Sequence, residues 1–176
     1  MAHLHIVIMG VAGSGKSTVA EALRDRLGWP LAEGDDLHPE SNVAKMASGI
    51  PLTDEDRWPW LRKITEWMSA EESAGASTIV TCSALKRAYL DRLREAPGRV
   101  VFVHLAGSEQ VLAGRLSARK GHFMPPSLLP SQLDTLESLD ADEDGLTLPI
   151  TQSVDEIVDE IITYFALTPA ESHLNR

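Results

Sequence analysis

The run Leu4-His5-Ile6-Val7-Ile8-Met9-Gly10-Val11-Ala12-Gly13-Ser14-Gly15-Lys16-Ser17-Thr18 joins an apolar segment to a glycine-rich loop, and the loop to a helix. Leu4 to Met9 is a continuous aliphatic and β-branched run ending in glycine, the pattern of a strand buried on both faces. Val19, Ala20, Leu23 and Leu27 recur at helical spacing, and Gly28 stops the helix that opens at Lys16. Between strand and helix stands Gly-x-x-x-x-Gly-Lys-Ser, Gly10 to Ser17. Its glycines let successive backbone N–H groups turn toward one anion, and the helix N-terminus adds roughly half a positive charge. The loop is therefore expected to bind phosphate through Gly10, Gly13, Ser14, Gly15, Lys16, Ser17 and Thr18. Lys16 would reach the β- and γ-phosphates of a nucleotide, and the Ser17 hydroxyl would ligate Mg²⁺.

The whole chain narrows the classes further. Its 176 residues suit one domain with a sizeable core, and 43% apolar content is ordinary for a globular protein. A formal net charge of −10 lacks the basic footprint of a nucleic-acid surface, so bound phosphates must be held by local cations. The single cysteine, Cys82, allows no internal disulfide and points to a reducing compartment. The apolar run at Leu4 to Met9 has no basic segment before it and breaks at Gly10, so it reads as a strand and not as a signal peptide. No segment approaches the roughly 20 apolar residues of a membrane span.

Beyond the first helix, a short strand over Trp29 to Glu33 ends in Glu33-Gly34-Asp35-Asp36-Leu37-His38-Pro39. Ligands of open parallel sheets sit beyond the carboxyl ends of the strands, so Glu33, Asp35 and Asp36 are candidates for metal and hydroxyl chemistry. Pro39 to Ser48 reads as a short helix closed by Gly49. Thr53 and Asp56 look like an N-cap pair before a helix carrying Leu61, Ile64, Trp67 and Met68. The tryptophans there read as core or cleft wall, while Arg57 is either a surface ion-pair partner or a bidentate clamp for a substrate carboxylate. The third strand, Ser77 to Cys82, lacks the terminal aspartate with which motor-type ATPases hold magnesium. Lys86 and Arg87 open the next helix, where cations oppose the helix dipole, a hint that one of them has a task.

Arg99 to Leu105 is the fourth strand, in which His104 reads as a satisfied core or edge histidine. Ser108 caps a helix that carries Arg115 and Arg119 one turn apart. Lys120-Gly121-His122-Phe123-Met124-Pro125-Pro126, followed by Ser131 and Gln132, fits a mobile lid over about residues 119–133. A last strand, Leu146 to Ile150, precedes a Ser153/Glu156 capping box and an apolar stripe from Val154 to Phe165. Residues 168–176 form a polar tail. Five strands alternating with helices predict an α/β fold, a five-stranded parallel sheet with helices on both faces, in one domain over residues 1–167.

Several blocks together resemble the gluconokinase family of small P-loop kinases, related to shikimate and adenylate kinases. They are Gly10 to Ser17, Glu33 to Pro39, Asn42 with Lys45-Met46, Gly49 to Leu61, Cys82 to Lys86, Gly121 to Pro125 and Ser131-Gln132. The resemblance runs from about His5 to Phe165. It implies ATP-dependent phosphorylation of D-gluconate at its terminal hydroxyl, a moving lid, a cytoplasmic location and a homodimer. By the looser analogy with shikimate kinases, Asp35 would meet the acceptor hydroxyl and Arg57 the acceptor carboxylate.

On that reading Lys16, Asp35, Arg119 and His122 are the catalytic candidates, with Arg119 and His122 meeting the γ-phosphoryl group. Arg57 and Lys86, helped by His38 and Gln132, would hold gluconate, and Arg115 would stack on adenine. Ser17 would bind Mg²⁺ directly and Glu33 through water. The rival readings are a P-loop kinase for another hydroxy acid such as shikimate, and a non-catalytic nucleotide sensor. A GTPase is disfavoured, since no Asn-Lys-x-Asp guanine-reading segment occurs.

Overall fold

The computed structural model describes residues 3–11, 14–83, 86–118, 133, 136–137, 139 and 144–169, the side chains of residues 109 and 115–118 aside. Its elements are β1 (Leu4–Met9), α1 (Lys16–Leu27), β2 (Leu31–Glu33), a 3₁₀ turn (Gly34–Leu37), α2 (Glu40–Ala47) and α3 (Asp54–Ser73). After these come β3 (Thr78–Cys82), α4 (Arg87–Leu93), β4 (Arg99–Ala106), α5 (Glu109–Ala118), β5 (Gly145–Pro149) and α6 (Val154–Tyr164). The strands form one parallel sheet in the order β2-β3-β1-β4-β5.

Burial explains the layering. Every residue of β3, and every residue of β1 after Leu4, is buried, so both faces of the central strands need cover. The α1 stripe Val19, Ala20, Leu23 and Leu27 is buried as its spacing requires, and α1 packs with α6 through Ile157, Val158 and Ile161. Arg26 adds a 3.0 Å bond to Asp159 across that pair. In the other helix pair, α3 buries Trp60, Leu61, Ile64 and Met68 and packs with α4, which buries Tyr89, Leu90 and Leu93. Capping boxes open both α3 (Thr53 with Asp56) and α6 (Ser153 with Glu156).

Two expectations need adjusting. The second strand begins at Leu31 and not at Trp29, because Pro30 has no N–H to give the ladder, although its carbonyl already accepts from Ile79 N at 3.0 Å. His104 is buried as expected, yet its Nδ1 finds no hydrogen-bond partner among the described residues. Burial alone lowers its pKa, so the imidazole is kept neutral. The lid expected over residues 119–133 lies outside the described residues except for Leu133, as does the end of the tail beyond residue 169.

The strand order places the site. The chain steps from β1 out to β2, returns to β3 and then crosses to β4 on the far side of β1. The direction of winding thus reverses between β1 and β3, and a crevice opens beyond their carboxyl ends. The loop after β1, the turn after β2 and the segment after β3 all converge there. The approach of β2 to β3 is tight: a Cβ on Gly34 would lie 2.1 Å from the Thr81 carbonyl oxygen. Gly34→Ala must therefore push the 3₁₀ turn away from β3. We expect it to lower unfolding free energy by about 2–4 kcal/mol in denaturant melts. A wild-type midpoint would contradict this account of the sheet edge.

Candidate active site

The phosphate side begins at the carboxyl end of β1. Gly10 has φ 154°, and a Cβ there would meet Ser14 Oγ at 2.6 Å and the Leu105 carbonyl at 2.9 Å. Gly15 is the left-handed N-cap of α1, at φ 92°. No side chain caps this helix and its first turn holds no acid, which suits an N-terminus presented to an anion. The Lys16 ammonium lies back over the loop, donating to the carbonyls of Gly10 (3.0 Å) and Val11 (3.1 Å). Ser17 and Thr18 are exposed in the same turn.

Ser17 donates its one hydroxyl proton to Glu33 Oε2 at 3.1 Å, so its lone pairs remain for a cation. Glu33 also accepts from Thr81 Oγ1, and that oxygen accepts in turn from Gly34 N at 3.2 Å. Glu33 and Thr81 are register partners in the β2–β3 ladder. Glu33 thus brings a carboxylate beside the end of β3, which carries no aspartate of its own. A hydroxyl, a carboxylate and a Lys-bearing glycine loop are the donor set that Mg²⁺ bound to a nucleotide requires, and the residues present fit that group.

The acceptor side is built on the 3₁₀ turn and the N-termini of α3 and α4. Asp35 is half-buried, and its carboxylate makes no hydrogen bond to the described residues. Trp60 Nε1 donates to the Gly34 carbonyl at 2.7 Å and so ties the turn to α3. His38 stacks on Trp60 with ring centroids 4.1 Å apart and planes 15° from parallel. Asn42 Nδ2 donates to the Asp56 carbonyl at 2.8 Å, which fixes the amide's orientation. Its other proton then faces His38 Nδ1 at 3.2 Å, so Nδ1 accepts and Nε2 carries the ring proton. Burial lowers the His38 pKa to about 4, opposed by Asp35 and assisted by Arg57.

Arg57 and Lys86 come together as expected, but neither is an isolated charge. Arg57 Nη1 donates to the Tyr89 hydroxyl at 2.7 Å, and Lys86 Nζ donates to Asp54 Oδ1 at 3.2 Å. Tyr89 completes the group by donating to Asp54 Oδ1. Asn42, Asp54 and Trp60 enter the sequence reading within the blocks that carry the family resemblance, with no site role attached, and Tyr89 and Thr81 carry no candidate role there. Only the packing of α3 on α4 joins Asp54 and Tyr89. Gly13, Arg119, His122 and Gln132 lie outside the described residues; Arg115 belongs to α5, with its side chain outside the description.

Comparison with known proteins agrees with this geometry. A family model described as an AAA domain matches residues 6–124. A gluconokinase of Gluconobacter oxydans is 49% identical over 160 residues, covering 91% of this chain and 90% of the relative. The chain belongs to the gluconokinase family. A crystal structure of a gluconokinase from Sinorhizobium meliloti is 52% identical with a TM-score of 0.82, over 92% of this chain and 91% of that one. An unliganded sugar kinase from Janibacter is 53% identical with a TM-score of 0.90, over 94% of this chain and 95% of that one. A shikimate kinase from Aquifex aeolicus, at 17% identity and a TM-score of 0.61, shares the fold alone.

The buried imidazole of this gluconokinase-family site leaves a signature in stability. The unfolded chain takes up a proton near pH 6.5, whereas folded His38 does so only near 4. Its contribution is complete above pH 6.5 and is lost as the pH falls toward 4. Between neutral pH and pH 5, His38→Gln should therefore lose less stability than the wild type, by about 2 kcal/mol. Thermal melts at the two pH values check this; equal losses in both proteins would contradict a buried neutral His38.

Proposed function

We propose that the protein transfers the γ-phosphoryl group of ATP to the terminal hydroxyl of D-gluconate, giving 6-phospho-D-gluconate and ADP. The observation that carries this reading is the phosphate loop after β1 together with the Arg57–Lys86 cation pair at the N-termini of α3 and α4, on the same edge of the sheet. Asp35 stands on the turn between them. Membership of the gluconokinase family supplies the acceptor's identity.

The loop amides with Gly10, Gly13, Ser14, Gly15, Lys16, Ser17 and Thr18 hold the triphosphate. Mg²⁺, held by Ser17 and through water by Glu33, would neutralise charge on the transferring group. Arg57 and Lys86 take the gluconate carboxylate, a charge-assisted contact that orients a flexible acid end to end. Asp35 accepts the hydrogen bond of the attacking hydroxyl and takes its proton as the new O–P bond forms and the β,γ-bridging bond breaks. His38, neutral at working pH, and Gln132 contribute hydrogen bonds to the polyol. Arg119 and His122 meet the γ-phosphoryl group on a closing lid, and Arg115 stacks on adenine. A homodimer in the cytoplasm belongs to the same reading; among the described residues no helix is long and apolar enough to cross a membrane.

The test is ADP release by the purified protein with Mg-ATP and, separately, D-gluconate, shikimate, other sugar acids, nucleoside monophosphates or no acceptor. D-gluconate should be the preferred acceptor by at least tenfold in kcat/KM; a different preferred acceptor would overturn the assignment. Two variants test the roles. Asp35→Asn should lower kcat by about 10²–10⁴-fold while KM for ATP changes little, as for loss of a positioned proton acceptor. Arg57→Ala should raise KM for gluconate by about 10–100-fold, the worth of one hydrogen bond to a charged group. An altered KM for ATP in place of that would remove Arg57 from the acceptor end.

A further inference from the structure

Tyr89 is buried in full and sits in the first turn of α4, three residues after Lys86. Arg57 stands in the second turn of α3, three residues after Asp54. The phenol oxygen touches both members of the α3 pair. A guanidinium can only donate, so the oxygen must accept from Arg57 Nη1, and its single proton must go to Asp54. Asp54 in turn accepts from Lys86 Nζ, at 3.2 Å to Oδ1 and 3.4 Å to Oδ2. The ring also lies beneath both cations, 5.2 Å from the Arg57 guanidinium carbon and 5.7 Å from Lys86 Nζ. Trp58 packs edge-on against it with centroids 5.6 Å apart. One hydroxyl therefore links two cations on two helices through directed bonds and one shared carboxylate.

We propose that Tyr89 is a positioning residue for the acceptor: its hydroxyl holds Arg57 and, through Asp54, Lys86 at the spacing of a single carboxylate receptor. This rests on the reading of Arg57 and Lys86 as the carboxylate site. Arginine and lysine side chains each lose considerable rotamer freedom when they bind, and a preset pair loses less. Asp54 also offsets one of the two positive charges, leaving the cluster a single net charge to match a monoanionic acid. The direction of the phenol bond is stable with pH. Burial, and next the bond to Asp54, push the Tyr89 pKa up to about 12, and the Asp54 carboxyl is held low first by the same phenol and then by Lys86.

Tyr89→Phe removes only the hydroxyl and keeps the ring that packs between Trp58 and the two cations. We expect KM for D-gluconate to rise at least tenfold, with kcat and KM for ATP within about threefold of wild type. A purely structural role would lower the thermal midpoint or shift all constants together. A cycle with Arg57→Lys adds a second readout, because the share of the hydroxyl's effect that runs through Arg57 is lost with that guanidinium. The two substitutions should then be far from additive in gluconate KM. An unchanged gluconate KM in Tyr89→Phe, or full additivity in the cycle, overturns the positioning role while leaving the kinase reading intact. Failure of the wild-type protein to use gluconate would instead remove the reading on which it rests. Should Tyr89→Phe fold poorly, direct calorimetric binding of gluconate to Arg57→Lys decides: affinity equal to wild type removes the preset pair.

Discussion

The Glu33 carboxylate ties together the three segments from which the site is made. It accepts from Ser17 in the first turn of α1 and from Thr81 on β3, and it terminates β2. In a parallel sheet the carboxyl ends of neighbouring strands carry unpaired groups into one crevice. Without a group to bridge them, loop, turn and strand end would repel or drift. One carboxylate fixes the phosphate loop relative to the 3₁₀ turn that carries Asp35, and Trp60 then fixes that turn relative to α3. A chain of three hydrogen bonds thus links the first turn of α1, β3, the 3₁₀ turn and α3. The close contact at Gly34 follows from the same demand, since the turn must leave β2 hard against Thr81.

The charge distribution follows a second constraint. A chain of net charge −10 has no general field with which to gather anions. Among the described residues, the loop lysine and the α3–α4 pair bring cations to the carboxyl edge of the sheet, each with a partner of its own. Lys16 rests on two carbonyls, and Lys86 rests on Asp54. The carbonyls under Lys16 are neutral and so weaker partners than the phosphate expected to displace them, whereas Asp54 keeps Lys86 in place and leaves its other ammonium donors for the acid. Between the cation centres the titratable groups are kept uncharged or unengaged. His38 is neutral through burial, and the Asp35 carboxylate accepts no hydrogen bond from the described residues, only its backbone carbonyl doing so, from His38 N.

Much of this is legible in the sequence. The continuous run of β1, the glycine pattern and the helical stripe of α1 are local signals that agree with one another, and local agreement survives folding. The capping boxes at Thr53 and Ser153 are likewise short-range chemistry. Arg57 is legible as either an ion-pair partner or a carboxylate clamp, and Asp35 as a candidate from its place after a strand. What stayed hidden is long-range. Thr81 meets Glu33 across 48 residues, and Tyr89 meets Asp54 across 35 and Arg57 across 32. A threonine in a strand and a tyrosine in a helix carry no mark of such partners until two strands align and two helices pack. Pro30 shows the smaller kind of error, a boundary moved by one missing donor.

The central claim is an orientation: gluconate lies with its carboxylate at the α3–α4 cation pair and its terminal hydroxyl at Asp35, facing the phosphate loop. The most direct measurement is a crystal structure of the protein with D-gluconate, Mg²⁺ and a non-hydrolysable ATP analogue. The account predicts the gluconate carboxylate within hydrogen-bond distance of Arg57 and Lys86, and the terminal hydroxyl within hydrogen-bond distance of Asp35 and in line with the γ-phosphorus. A gluconate bound in the reverse sense, or one that leaves Arg57 on Tyr89 with no contact to the acid, would contradict it.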